Sequence, residues 1–297
     1  MNHYDIVFIG QMGMGRIVPF EGPPFVEPGT PVLFSAMAAS CQGKRIAVVT
    51  SISESEEGFL EPLKSAGIEL FVQPGKSYRY HVVFPTANVD QRQIFRTEVG
   101  KPFVVSDIPP FEPCLIHLCC IGVRKFHLDL MRGLKARGFR LAVDIQSFVI
   151  QTEDETGTGA VHLEDVPEKE EIVNTVDFVK LDAVEAQVLT GAGVLQDQAD
   201  ILEKWGCSES IITCSEGALA RSKGKTAFVK FTNRNTRGRM GRGDTVMGSY
   251  LARRLDHSVE DSLRFAVALT SIKMESPGPF RGSVDDVIER MNNTFYD

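Results

Sequence analysis

Residues 239–255 read RMGRGDTVMGSYLARRL. The tripeptide Arg242-Gly243-Asp244 within them admits three readings: a cell-adhesion tag, part of an Arg-Gly RNA-binding tract, or the start of a helix carrying a catalytic acid. The surrounding residues favour the third. Val246, Met247, Tyr250, Leu251 and Leu255 recur at helical spacing and form one apolar stripe. Gly241 and Gly243 can adopt backbone angles that other residues avoid and allow another group to approach the main chain. Asp244 and Thr245 then fall where the helix starts. The first turn of a helix has unpaired N–H groups and a partial positive charge, which favour a bound anion. A carboxylate there can take a proton from an attacking hydroxyl while the amides hold phosphoryl oxygens. The plainer alternative is that Asp244 only caps its helix.

The rest of the chain supplies a frame for such a helix. Apolar, β-branched runs at Tyr4–Ile9, Arg45–Val49, Cys114–Cys119, Arg140–Val143, Asp177–Lys180 and Ser210–Thr213 read as buried strands. Helical patterns at Val32–Cys41, Glu57–Ala66, Phe126–Arg137, Asp182–Leu189 and Gln196–Trp205 separate them. This alternation predicts an α/β fold with a mainly parallel sheet covered on both faces. Two stretches break the pattern. Residues 11–31 are too rich in Gly and Pro for a regular helix. Residues 78–99 read as a hairpin, Tyr80–Phe84 and Gln91–Arg96 around a turn at Ala87–Asp90. Together they suggest a small β lid of the kind that excludes water from group transfer; a plain surface hairpin is the alternative.

Bulk properties exclude some functions. With 297 residues, 43% hydrophobic and 24% charged, the chain is long enough and apolar enough for a large folded core. A net charge of −7 argues against a surface devoted to nucleic acid or anionic membrane. MNHYDIVFIG at the start is neither a signal peptide nor a membrane span, so a cytoplasmic location is expected and the adhesion reading weakens. None of the six cysteines forms a CxxC pair, and buried thiols in a reducing compartment are the expectation. Arg234, Arg237, Arg239 and Arg242 are too few, and too close to a helix, for a disordered RNA-binding tract. Beside an anion site they suit polyphosphate; a solvated charged loop is the alternative.

Two glycine motifs are set aside. Gly10-Gln-Met-Gly-Met-Gly15 spaces its glycines differently from a dinucleotide fingerprint and runs into Ile17-Val-Pro19, which starts no helix. Gly75-Lys76-Ser77 lacks the first glycine of a phosphate loop, because position 70 is Leu.

The segment GRGDTVMGSYLARRL resembles the C-terminal signature of the PfkB, or ribokinase-like, carbohydrate kinases, through Gly241, Gly243, Asp244, Thr245, Gly248 and Leu255. Ser258-Val-Glu-Asp-Ser-Leu-Arg-Phe-Ala266 is similar to the helix that follows it in that family. Phe178–Gly191 resembles its K-x-N-x-x-E-A-x-x-L-T-G segment, and Glu27–Ala36 its glycine-rich substrate segment. The resemblance implies a three-layer αβα domain over residues 1–297 with a mainly parallel sheet and a β lid from about 11–34 and 76–102. It implies a phosphotransferase using ATP and Mg²⁺. Asp244 would be the catalytic base and Gly241, Arg242 and Gly243 the anion hole. Glu185 and Asp182 would organise the metal, largely through water. Thr213, Ser215, Gly217, Thr245 and Val267 fall at the nucleotide, and Gly15, Gly29, Thr30, Phe34 and Asp144 at the substrate.

Departures from the family pattern accompany these matches. Gly15 stands where many members have an Asp that grips sugar hydroxyls. Asp182 replaces an Asn, Arg242 a small residue, Thr30 a Gly, and Val267 an Asn. Phe34, the strand end at Asp144-Ile-Gln146 and Ser276-Pro-Gly-Pro-Phe280 are similar to the cyclitol-kinase branch, which implies a polyol such as an inositol as substrate. A homodimer through the lid is expected, and no nucleic acid or membrane partner. A nucleoside kinase and a non-catalytic ligand-binding descendant are the alternatives.

Overall fold

The computed structural model describes residues 2–88, 91–119, 124–152, 154 and 157–295. Residues 89 and 90 of the expected hairpin turn, and Cys120, lie outside the described residues. The chain opens with β1 (Ile6–Ile9), β2 (Gly13–Val18), β3 (Phe25–Pro28), α1 (Pro31–Ser40), β4 (Ile46–Ile52), α2 (Glu61–Ser65), β5 (Glu69–Pro74), β6 (Tyr78–Val83) and β7 (Gln93–Glu98). It continues through β8 (Leu115–Leu118), α3 (Arg124–Ala136), β9 (Arg140–Asp144), α4 (Gln146–Val149), β10 (Ile150–Thr152), β11 (Gly159–Leu163), α5 (Lys169–Thr175), β12 (Phe178–Asp182) and α6 (Ala183–Thr190). It ends with α7 (Leu195–Lys204), β13 (Glu209–Thr213), β14 (Gly217–Ser222), β15 (Lys225–Lys230), α8 (Arg242–Arg254), α9 (Val259–Met274) and α10 (Val284–Phe295).

Nine strands form the large sheet in the order β15-β14-β13-β12-β9-β8-β1-β4-β5. The seven from β13 to β5 run parallel, and β14 and β15 add an antiparallel edge. Both faces are buried because alternate side chains feed opposite cores, as the strand period of two requires. Val7, Ile9, Val143 and Val179 pack with α3, α5, α6 and α7, whereas Ile6, Phe8, Ala142 and Phe178 pack with α1, α2, α8 and α9. This is the three-layer arrangement expected from the alternation.

The expected helix at Glu57–Ala66 is split. A 3₁₀ segment covers Glu54–Leu60 and α2 restarts at Glu61 with Pro62 in its first turn, where its missing N–H costs nothing. A second sheet of six strands, β10-β11-β7-β6-β2-β3, lies apart from the first. Its β2, β3, β6 and β7 come from the two irregular stretches, and β10 and β11 come from a later segment. Its core is Ile17, Tyr78, Tyr80 and Val82. Cys41, Cys114, Cys119, Cys207 and Cys214 are free thiols. Among the described residues no helix is long and apolar enough to cross a membrane.

Helix α8 crosses α1 closely. A side-chain carbon at Gly248 would lie 2.0 Å from Ser35 O, so only glycine permits this approach. Ser35 Oγ also donates to Asp244 O at 3.0 Å. These two contacts aim the first turn of α8 at the carboxyl ends of β9, β12 and β13, where ligands collect in open parallel sheets.

Candidate active site

Gly241 is the N-cap of α8 and has φ +75°, a conformation that disfavours any side chain. Asp244 therefore occupies the third position of the helix and is not its N-cap residue. The Arg242 amide donates to Arg239 O at 3.3 Å and the Thr245 amide to Gly241 O at 2.9 Å. Among the described residues the Gly241 and Gly243 amides have no backbone acceptor, and the Asp244 carboxylate accepts from its own amide. Thr245 Oγ1 donates to Gly241 O at 2.7 Å and braces the turn.

Asp244 is half-buried and faces a cavity between the two sheets. One wall is the turn itself, with Gly241, Arg242, Gly243 and Arg239. A second is Gly29, Thr30 and Phe34 at the start of α1, and a third comes from the small sheet through Tyr80, Arg92, Ile94 and Arg96. The far side is built by Asp182, Glu185 and Thr213 at the strand ends. Ten of the residues singled out from the sequence thus meet at one cavity.

The others do not line it. Asp144 is buried beneath, paired with Lys180. Thr245 is fully buried. Gly15 lies on β2, and the space a side chain there would fill belongs to the Tyr80 ring, 2.5 Å from such a carbon. Ser215 lies between β13 and β14. Gly217 begins β14 against Val229 O, 2.1 Å from an added side-chain carbon. Val267 is fully buried in the apolar layer of α8 and α9.

Two acids open α6. The Asp182 side chain accepts from the Val184 and Glu185 amides at 2.9 and 2.8 Å, and Glu185 Oε2 accepts from the Asp182 amide at 2.7 Å. This is a reciprocal capping box with Asp in the leading place. Glu185 is 5% exposed, so it is not a solvated helix carboxylate.

Residues the sequence reading missed complete the electrostatics. Lys180 is buried, with Nζ 2.9 Å from Asp144 Oδ2 and 3.9 Å from Glu185 Oε2. Burial pulls its ammonium down, but Asp144, Glu185, Asp244 and Asp182 together outweigh that and hold it above the ordinary lysine value. Burial raises Glu185 to about 8 and Asp144 to about 6, in each case against the pull of Lys180. Burial also raises Asp244, opposed by Lys180 and Lys273. Gln146 Nε2 lies 3.5 Å from Asp244 Oδ1. Lys273, 3% exposed, is lowered to about 7, chiefly by burial. Lys180 stood inside the quoted 178–191 stretch, and a lysine in an otherwise apolar strand was the available signal.

A carboxylate at a helix N-terminus, amides beside it, flanking cations and a cover from a second sheet suit phosphoryl transfer to an alcohol. Fold and site together define a phosphotransferase of ribokinase architecture. The sequence profile of the pfkB family carbohydrate kinases matches residues 162–285. A cytidine kinase of Thermococcus kodakarensis is 26% identical over 222 residues, 71% of this chain and 73% of that protein. A pyrophosphate-dependent kinase of the ribokinase family, solved with a pyrophosphate analogue and myo-inositol, superposes with a TM-score of 0.85 at 25% identity, covering 96% of this chain and 99% of that one. Arabidopsis thaliana ribokinase, solved with ribose and ATP, shares the fold at a TM-score of 0.72 and 14% identity over 98% of this chain and 99% of that one. The chain is thus similar to the pfkB family carbohydrate kinases over residues 162–285 and to kinases of the ribokinase family over nearly its whole length.

Proposed function

We propose that this kinase phosphorylates a hydroxyl of a small polyol, a cyclitol such as myo-inositol or a sugar, with Asp244 as general base. The observation that carries the reading is the place of Asp244: third residue of α8, half-buried, and open to the cavity. As the hydroxyl oxygen bonds to phosphorus, its proton passes to the Asp244 carboxylate and the bond to the leaving phosphate breaks. The Gly241 and Gly243 amides receive the non-bridging oxygens, and Arg242 and Lys180 balance charge gathering on the leaving group. Phe34 and Tyr80 supply apolar surface against a ring, and the small sheet acts as the lid that keeps water away.

Magnesium fits this site. Asp182, Glu185 and Asp244 line one cavity, and carboxylate oxygens are the ligands that magnesium prefers. Glu185 and Asp182 would hold it through water; bound there, it neutralises phosphate charge.

ATP is the first reading for the donor. Inorganic pyrophosphate is the second, favoured by one observation: of the residues expected at an adenine site, Thr213 lines the cavity but Val267 is sealed in the core, while Arg239 and Arg242 line the phosphate end. A homodimer through the small sheet belongs to the same proposal, since Phe25, Val26 and Phe95 are exposed there. The test offers ATP or pyrophosphate with Mg²⁺ to a panel of cyclitols, sugars and cytidine and follows phosphorylated product. The expected result is a phosphorylated polyol with at least one donor. Product from cytidine alone, or from no acceptor with either donor, would overturn the reading.

A further inference from the structure

Lys273 stands in the last turn of α9 and takes no part in the steps above. Its Nζ donates to the carbonyl oxygens of Gly238 and Met240 and lies 4.7 Å from the centroid of the Phe34 ring. Both carbonyls belong to the segment that delivers the chain to Gly241. The backbone docks on α9 at the same place, because the Gly238 amide donates to Met274 O at 2.8 Å. Packing admits no side chain at 238, where a carbon would lie 1.9 Å from Ser276 O. The Phe34 ring in turn presses on Gly241, 2.2 Å from where a side-chain carbon would be. One ammonium therefore gathers the incoming loop, the ring beneath the turn and the end of α9.

Two backbone carbonyls and an aromatic face converging on one buried positive charge form the surroundings that a protein offers a small monovalent cation. Without charge at that point the carbonyl dipoles would face each other in dry protein, and each would seek another partner. A shift of the Gly238–Met240 carbonyls would rotate the peptides leading into Gly241 and so misdirect the amides of Gly241 and Gly243. The charged groups facing Lys273 are Glu27, Asp244 and Arg239; the two acids favour its ammonium form.

Resting on the reading of this turn as the phosphoryl site, we propose that Lys273 is a positioning residue whose ammonium serves as an internal monovalent cation, pinning the Gly238–Met240 carbonyls and thereby setting the anion-receiving turn.

The test uses Lys273→Met, close in shape and uncharged, assayed below the Lys273 value of about 7 where the native amine is charged. A misdirected turn should lower kcat about 10- to 100-fold with little change in KM for the polyol. Potassium, ammonium or methylammonium chloride should restore part of that loss, choline chloride at equal ionic strength should not, and the wild type should respond to none of them. The same salts should raise the Tm of Lys273→Met above the choline control but not that of the wild type, a readout that needs no turnover. A kinase inactive in every form would thus refute the proposed function while the Tm comparison still judged Lys273. Unchanged kcat in Lys273→Met, a loss that no small cation relieves in rate or Tm, or strong potassium activation of the wild type would each overturn the proposal. Should Lys273→Met not fold, Lys273→Gln, which keeps two N–H donors but no charge, carries the same comparison.

Discussion

Lys180 and Asp144 face each other across adjacent parallel strands, Nζ to Oδ2 at 2.9 Å, both buried beneath the first turn of α8. The pair joins β12 to β9 at the level where Glu185 and Asp244 also gather, so one ammonium answers several carboxylates. Removing it leaves Asp144 buried without its counter-ion, whereas Glu185, raised to about 8, keeps its proton near neutral pH. Lys180→Met should therefore lose about 3–5 kcal/mol of stability, measured by urea unfolding near neutral pH. Lys180→Met with Asp144→Asn should regain part of that loss, because one stranded charge is gone. A single variant as stable as the wild type would show that the acids do not depend on Lys180.

Glu185 gives a pH signature. Its folded value of about 8 lies above the ordinary 4.5, so between these values the folded protein holds a proton that the unfolded chain has released. The resulting contribution to stability is complete below the ordinary value and is lost as pH rises through about 8. Wild-type stability should fall across that window, and Glu185→Gln should fall less steeply. Magnesium affinity should rise over the same range in the wild type, because the metal competes with that proton, and stay flat in Glu185→Gln. Calorimetric unfolding and magnesium titration at several pH values check both; parallel slopes in the two proteins would contradict the assignment.

Gly15 explains a departure from the family pattern. The Tyr80 ring occupies the space of a side chain at position 15, and its hydroxyl donates to Gly29 O. Gly15→Asp should not create a sugar-hydroxyl anchor. It should displace Tyr80, cost about 1–3 kcal/mol through overpacking and raise KM for the polyol. With Tyr80→Ala in place, the same substitution should cost distinctly less, and thermal unfolding of the four proteins gives the coupling. Strictly additive costs would show that the two residues do not share that space.

The frame was largely legible because its signals are local. Strands β1, β4, β8, β9, β12 and β13 are short apolar runs with helical patterns between them, and the Gly-Arg-Gly-Asp turn announces itself before the apolar stripe of α8. The β14–β15 hairpin was missed although Ser222-Lys-Gly-Lys225 carries its sign: Lys223 and Gly224 take φ of +50° and +75°, the two-residue turn that suits hairpins. Strands β10 and β11 are short, half-buried to exposed, and separated by acidic and glycine residues, so no periodic run marks them. Lys180 and Lys273 were unread for a different reason. Each is one lysine in an apolar element, and what makes it matter is a partner brought near only by the fold: Asp144 on the neighbouring strand for Lys180, and the Gly238 and Met240 carbonyls for Lys273.

The central claim is that Asp244 removes the proton from the accepting hydroxyl. Asp244→Asn keeps the shape of the side chain and the helix start, so it should fold as the wild type does and bind the phosphoryl donor with similar affinity. Steady-state turnover with Mg²⁺, the productive donor and the productive polyol should fall about 10²- to 10⁴-fold, the share of a general base. Turnover within about threefold of the wild type, with donor binding intact, would contradict the assignment and move the base elsewhere in the cavity.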